Sequence, residues 1–133
     1  MSPTKPFPWR CIECDLLDVQ PSTIRDYGMT VKHDGQEHEI CIPEFSVPQC
    51  QACGAMHYDI EADRQVQNAL RTKVGLLSPD RIRAWRTDLS LTHQQVADAL
   101  GIANETVSRW ESGAMIQSKS NDRFMRIFFQ EIT

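Results

Sequence analysis

Two Cys-x-x-Cys segments constrain the first half of this chain more than any other feature. They are Cys11-Ile12-Glu13-Cys14 and Cys50-Gln51-Ala52-Cys53. Each segment places two sulfur atoms on one tight turn, and two such turns supply the four thiolates of a tetrahedral zinc ion. We therefore predict a structural Zn2+ site with Cys11, Cys14, Cys50 and Cys53 as ligands.

Two other uses of these cysteines are an iron–sulfur cluster and a redox-active dithiol. No βαβ pattern of the kind that accompanies a thioredoxin-like dithiol surrounds either segment. Four thiolates leave no open coordination position for catalysis, and the chain has no catalytic triad, phosphate-binding loop or paired carboxylates. We therefore predict that the protein is not an enzyme. We expect Cys41 to be a small buried residue of a strand, and His33, His38 and His57 to be solvated.

The 35 residues between the cysteine pairs predict a β-hairpin that brings the pairs together. Strand-like segments at residues 27–33 and 36–42 flank Asp34-Gly35, a dipeptide that suits a type I′ turn. The sequence thus predicts a β-rich zinc-binding domain over residues 1–58.

From Asp59 the pattern becomes helical. Apolar residues at spacings of three and four predict a connector helix within residues 59–77 that ends at Gly75. Ser78-Pro79-Asp80 predicts the start of another helix, and Thr92 with Gln95 forms a capping box. With helices marked by Asn104 to Glu111 and by Phe124, Ile127 and Phe128, residues 78–133 predict an all-α domain. The predicted fold class is therefore α+β.

Within this domain the two central helices, joined at Gly101, have the helix-turn-helix pattern. The second of them enters the major groove of DNA in such motifs. Its outward residues are Asn104, Glu105, Ser108 and Arg109, whose side chains match the bonding edges of adenine, cytosine and guanine. Val107 and Trp110 are expected to face the core.

Composition sets limits on the partners. The net charge is −4, and residues 1–77 hold 7 Lys and Arg against 11 Asp and Glu, whereas residues 78–133 hold 7 of each. Because residues 78–133 carry no net charge, tight binding to DNA requires dimerisation. The acidic first half suits a basic protein partner. No apolar run is long enough to span a membrane, and paired cysteines without a signal-peptide pattern indicate the cytoplasm.

Residues 78–127 resemble the Xre/Cro-like helix-turn-helix family, with Leu91-Thr92, Leu100-Gly101, Val107-Ser108-Arg109-Trp110-Glu111 and Gly113 in the expected order. Together with the cysteine pairs, the whole chain resembles the MqsA/YgiT family of antitoxins. The resemblance implies a zinc domain that binds a toxin and a dimeric second domain that represses its own operon. It also implies that Thr92, His93, Gln94 and Thr106 contact phosphates, and that Arg86 pairs with Glu111.

The chain departs from the family pattern at several positions. Family members often have Gln where His93 stands, Ser or Thr where Ala103 stands, and Pro where Gln117 stands. The first cysteine pair also begins later than usual and is followed by Asp15 instead of Gly.

The predicted function is a zinc-containing transcriptional repressor that binds an inverted-repeat operator as a homodimer. The toxin–antitoxin resemblance adds a small basic toxin as a partner of the first domain. The alternatives are a regulator without a toxin and a protein-interaction adaptor that has lost DNA binding.

Overall fold

The computed structural model describes residues 5–131, which form three strands followed by five helices. The predicted α+β fold class is confirmed. The outer ends of the predicted domains, residues 1–4 and 132–133, lie outside the described residues.

The strands form one antiparallel sheet in the order β1-β2-β3, with β1 at Trp9–Arg10, β2 at Leu17–His33 and β3 at Gln36–Cys50. Asp34 and Gly35 form the hairpin turn, with φ of 52° and 76°. Positive φ at both central residues is what a type I′ turn requires, so the predicted hairpin is confirmed. The two prolines of β3 are tolerated because β3 lies at an edge of the sheet.

The chain forms two compact units that divide the hairpin between them. The first unit contains residues 5–29 and 39–66, and the second contains residues 30–38 and 67–131. The hairpin turn therefore belongs to the same unit as the helices within residues 79–131.

In the first unit, β3 and the start of α1 provide most of the buried apolar side chains. Ile40 and Ile42 of β3 are buried, as are Ala62 and Val66 of α1 (Ile60–Val74). The side-chain amide of Gln65 both accepts a hydrogen bond from the Ser46 amide and donates one to the Ser46 carbonyl oxygen, at 2.9 and 2.8 Å. The beginning of α1 is thus attached to the edge strand.

The second unit contains four further helices: α2 (Pro79–Asp88), α3 (His93–Leu100), α4 (Asn104–Ser112) and α5 (Lys119–Glu131). The Ser78 side chain accepts from the Arg81 amide and begins α2 as predicted. One core joins these helices and consists of Leu77, Ile82, Val96, Ala97, Val107, Trp110, Met125 and Phe129. No helix within residues 5–131 is long and apolar enough to cross a bilayer.

The predicted final helix is confirmed, but its buried side chains are not the residues that marked it. Met125 and Phe129 are buried, whereas Phe124 and Ile127 are 60% and 52% exposed. Four-residue spacing places Met125 and Phe129 on one face of α5. The exposed pair lies on a different face, which apolar residue type alone does not reveal.

Candidate metal centre and nucleic-acid interface

The four predicted ligand cysteines converge in the first unit. Their sulfur atoms all lie within 4.8 Å of one another. The distance is 3.6 Å between Cys11 Sγ and Cys53 Sγ, and also between Cys14 Sγ and Cys50 Sγ. Zn–S bonds of about 2.3 Å in a tetrahedron separate sulfurs by about 3.8 Å. The arrangement therefore fits one four-coordinate metal ion.

The two cysteine turns have the same backbone hydrogen bonds. The Cys11 amide donates to the Leu16 carbonyl oxygen at 2.8 Å, and the Cys50 amide donates to the Ala55 carbonyl oxygen at 2.9 Å. Both pairs are thus held on equivalent loops, in which the first cysteine is buried.

The residue after each pair has a left-handed backbone. Asp15 has φ of 63° and Gly54 has φ of 81°, and each amide donates to the first cysteine's carbonyl oxygen at 2.9 Å. Asp tolerates this conformation better than most residues with a Cβ. The missing glycine of the first turn therefore does not change its shape.

The thiols do not share one protonation behaviour. Hydrogen bonds from the amides of Cys53 and Ala52, against the effect of burial, lower the pKa of Cys50 to about 7. The Leu16 amide lowers the pKa of Cys14, but burial and the three other cysteines raise it to about 12 overall. Cys14 and Cys50 therefore do not ionise together by themselves. A bound divalent cation supplies the compensating charge, so this donor set fits zinc.

Two sequence-based expectations about the other cysteine and histidine residues are wrong. Cys41 is exposed, because Ile40 and Ile42 are the buried residues of β3 and alternation turns Cys41 to the other face. His33 is not solvated; it is 7% exposed and its Nε2 atom lies 2.8 Å from the Gln117 carbonyl oxygen.

His38 and His57 are half-buried, and the Nε2 atom of each is shielded from solvent. The expectation of solvated side chains is therefore not met for these two residues either. Within the described part of the chain, the only cluster able to hold a metal is the four cysteines.

The helix pair α3–α4 has the geometry that the sequence predicts. Thr92 and Gln95 form the reciprocal capping box at the start of α3, and Gly101 ends it with φ of 70°. Helix α4 begins after Ala103, which provides no side-chain cap. Val107 and Trp110 are the buried residues on the inner side of α4, so the opposite side of the helix faces outward.

The candidate DNA contacts divide by exposure. Exposed side chains are those of Thr92, Gln94, Glu105, Ser108 and Arg109, and half-buried ones are those of His93, Asn104 and Thr106. The Gln94 amide donates to Asp98 at 2.7 Å. The Asn104 Oδ1 atom is shielded from solvent and has no hydrogen-bond partner among residues 5–131. Arg109 and Glu105 are the exposed charges on α4.

The predicted ion pair between Arg86 and Glu111 is confirmed. The guanidinium Nε and Nη2 atoms donate to the two carboxylate oxygens at 2.7 and 2.9 Å, and the Glu111 side chain is only 4% exposed. This bidentate contact joins α2 to the end of α4. Fork-to-carboxylate pairs of this kind combine strength with a fixed orientation.

Sequence reasoning missed two further groups at Glu111. His93 Nε2 lies 3.2 Å from Glu111 Oε2, and Arg83 donates to the Glu111 carbonyl oxygen at 3.0 Å. Burial raises the pKa of Glu111, but Arg86 and His93 outweigh this effect and hold the pKa below its ordinary value. The departure from Gln at position 93 was the available signal, since a protonated imidazole can form an ion pair with a carboxylate and a Gln amide cannot.

Residues 82–127 match the family model HTH_3, described as helix-turn-helix. This segment is a helix-turn-helix domain. It begins within α2, spans α3 and α4, and ends within α5. A search of curated proteins found no relative of the chain.

Proposed function

We propose that this protein is a zinc-containing transcriptional repressor that binds double-stranded DNA as a homodimer. The observation that carries the proposal is the outward face of α4, on a helix pair with the helix-turn-helix arrangement. That face presents Glu105, Ser108 and Arg109 to solvent, while the core holds the opposite side. Side chains in this position reach base edges when the second helix lies in the major groove.

The polar residues have separate roles in this proposal. Asn104, Glu105, Ser108 and Arg109 read bases, of which Arg109 binds guanine through two hydrogen bonds. The phosphate contacts come from Thr92, His93, Gln94 and Thr106, which lie near the first turns of α3 and α4. Helix N-termini favour phosphate because their amides point outward and carry partial positive charge.

Dimerisation follows from the charge of the domain. Residues 78–133 contain equal numbers of basic and acidic residues, so general attraction to DNA is weak. Two copies on a two-fold axis double the base contacts and require an inverted repeat. Half-site centres then lie about one helical turn apart or a multiple of it.

The metal has a structural role in the proposal. Cys11, Cys14, Cys50 and Cys53 fill all four positions around a tetrahedral ion, which leaves no site for substrate or activated water. We therefore assign no enzymatic activity to this centre. A DNA partner and reduced thiolate ligands both belong to the cytoplasm.

The antitoxin role is the finer part of the proposal. It is supported by the order of the two modules and by the acidic excess in residues 1–77, which suits a small basic toxin. A neighbouring gene for such a protein, and a complex of the two after co-expression, would establish it. A chain with neither is a regulator that acts without a toxin.

Footprinting on the protein's own upstream region tests DNA binding. We expect protection of two inverted half-sites. Arg109→Ala should weaken cognate binding by about 1–3 kcal/mol and relax the preference at one base pair. Arg123→Ala is the matched control, because it removes the same charge from an exposed position of α5.

Three outcomes would count against this model. One is protection of a single unrepeated half-site, and another is equal loss of affinity for both arginine variants. The third is no binding at low salt, which favours the protein-interaction adaptor instead.

A further inference from the structure

The turn of the β2–β3 hairpin contacts the loop before α5. His33 Nε2 lies 2.8 Å from the Gln117 carbonyl oxygen, and the Lys119 amide donates to Asp34 Oδ2 at 2.8 Å. These partners are 84 and 85 residues apart in the chain. Because His33 is also buried, the turn is held by packing as well as by hydrogen bonds.

Asp34 caps the start of α5. Lys119 is the first residue of that helix, and its amide has no acceptor within the helix. Ser118 Oγ accepts from the Asn121 amide at 3.1 Å, as an ordinary cap does, while Asp34 takes the Lys119 amide. A carboxylate at this end also interacts favourably with the helix dipole. One of the two capping oxygens therefore comes from the hairpin.

A buried hydrogen-bond network extends from the same loop. Gln117 is 1% exposed, and its side-chain amide donates to the Leu77 carbonyl oxygen at 2.9 Å and to Asp122 Oδ1 at 3.0 Å. The Leu77 amide donates to the same Asp122 oxygen at 2.8 Å. Networks of this kind are stable when every member has its partner. The start of α5 is thus fixed by the hairpin turn and by the residues before α2.

Helix α5 supports the helix that presents the proposed base contacts. Met125 and Phe129 of α5 share one core with Val107 and Trp110 of α4. Protein cores are close-packed and transmit displacement. Because α3 packs against both α5 and α4, we infer that a change at the start of α5 is transmitted through this core to the underside of α4.

The hairpin also leads to the cysteine centre. Strand β2 begins three residues after Cys14, and β3 ends at Cys50. A metal bound by both cysteine pairs closes the open end of the hairpin, because ligand binding and local folding are one equilibrium in such sites. Loss of the metal removes this closure, so that only strand pairing holds the open end of the hairpin and fraying can begin there.

We propose that the hairpin turn is a metal-dependent latch on the helical reader. With metal bound, Asp34 and His33 fix the start of α5; without it, the strands fray and the turn releases the helix. The proposal rests on the proposed metal site and goes beyond it, since it makes DNA affinity respond to metal. The competing arrangement is two independent halves, in which loss of the metal leaves the helical domain and its DNA affinity unchanged.

Amide hydrogen exchange of the full metal-bound chain tests the contact without DNA. Asp34→Gly removes the acceptor, while glycine keeps the positive φ of this position. We expect exchange at the Lys119 amide to rise by about tenfold or more, as for the loss of a hydrogen bond to a charged group. Asp26→Gly is the matched control, because Asp26 also has positive φ and lies on β2. It should leave Lys119 unchanged.

Metal removal tests the coupling. A chelator should raise Lys119 exchange in the wild type by a similar factor and should add little in Asp34→Gly, because the latch is already open. Metal removal and Asp34→Gly should each lower the affinity for the operator. Their combined effect should be no larger than either effect alone. Unchanged Lys119 exchange after complete metal removal would overturn the latch, as would purified protein without metal.

The exchange and DNA readouts separate the two proposals. If the protein binds no operator but Lys119 responds to metal and to Asp34→Gly, the repressor proposal fails and the latch stands. If operator binding is normal and Lys119 does not respond, the latch alone fails.

Discussion

The cysteine end of the first unit and the helical core of the second are stabilised in different ways. Around the cysteines the buried cluster consists of Cys11, Val19 and Cys50, of which Cys11 and Cys50 are proposed metal ligands. The helical core buries eight apolar residues from five segments of chain. Apolar burial is the main favourable contribution in the second region, whereas the first has little of it.

This difference explains why a bound metal would stabilise the cysteine end, whereas the helical core is stable through packing. Small domains bury too little apolar surface to be secure without a metal or disulfide. The helical domain has a continuous core, to which the buried ion pair adds orientation. With the proposed metal bound, the same chain combines a region that depends on its ligand with one that depends on packing.

Loss of the metal should produce the largest effect. Cys50→Ser removes a buried ligand, so we expect the cysteine loops and adjoining strands to lose protection from exchange and the metal content to fall well below one per chain. Cys41→Ser is the matched control, because this cysteine is exposed and outside the cluster. Metal analysis and amide exchange on both variants provide the measurement. Equal metal content in the two variants would show that the four sulfurs are not a site.

The buried ion pair provides the next test, within the helical region. Glu111→Ala leaves the Arg86 charge without its partner and should lower the free energy of unfolding by about 3–5 kcal/mol. The double variant Arg86→Met with Glu111→Leu should recover part of this loss, because apolar residues need no partner. Denaturant unfolding measures both, with Glu105→Ala as an exposed control. Additive effects of the two single changes would contradict a coupled pair.

The same pair predicts a pH dependence. Because the folded pKa of Glu111 lies below its ordinary value of 4.5, the stabilisation is complete above that pH. It is lost as the pH falls from about 4.5 through the folded pKa. Glu111→Gln should therefore reduce the acid sensitivity of unfolding relative to wild type, and Glu37→Gln, at an exposed hairpin position, should not. If the free energy of unfolding falls with pH in parallel for wild type and Glu111→Gln, ionisation of Glu111 does not contribute to acid sensitivity.

The smallest expected effects are at the N-termini of α3 and α4, the two helices of the helix-turn-helix. Thr92→Ala breaks the capping box of α3 and should cost about 1 kcal/mol. Ala103→Ser supplies the side-chain cap that α4 lacks and should gain a similar amount. Thermal unfolding without DNA measures stability alone. A neutral result for Ala103→Ser would mean that α4 gains nothing from a capped start.

Local patterns predicted the elements well. Asp34-Gly35 predicted the turn, Thr92 with Gln95 predicted the capping box, and the two cysteine pairs predicted a cluster that the fold brings together. Each of these depends on a few adjacent residues or on strong ligand chemistry. The family pattern identified the Arg86–Glu111 pair, whose two members are 25 residues apart in the sequence.

The burial and partners of several residues depend on tertiary contacts that the local sequence does not indicate. His33 was expected in solvent because nothing near it in sequence indicates Gln117 as a partner. Cys41 was expected inside, although its neighbours Ile40 and Ile42 occupy the buried face. Gln117 was noted only as a departure from a common Pro, and its side chain proved to be central to a buried network.

The long separation between the hairpin turn and its partners has a consequence for synthesis. Both cysteine pairs are complete once residue 53 has been made, whereas Lys119 follows 66 residues later. At about 5–20 residues per second, that interval is roughly 3 to 13 s, and hairpins form within about 10 μs. A nascent chain can therefore fold its hairpin long before the last helix exists. The final helix then begins on a template that is already in place.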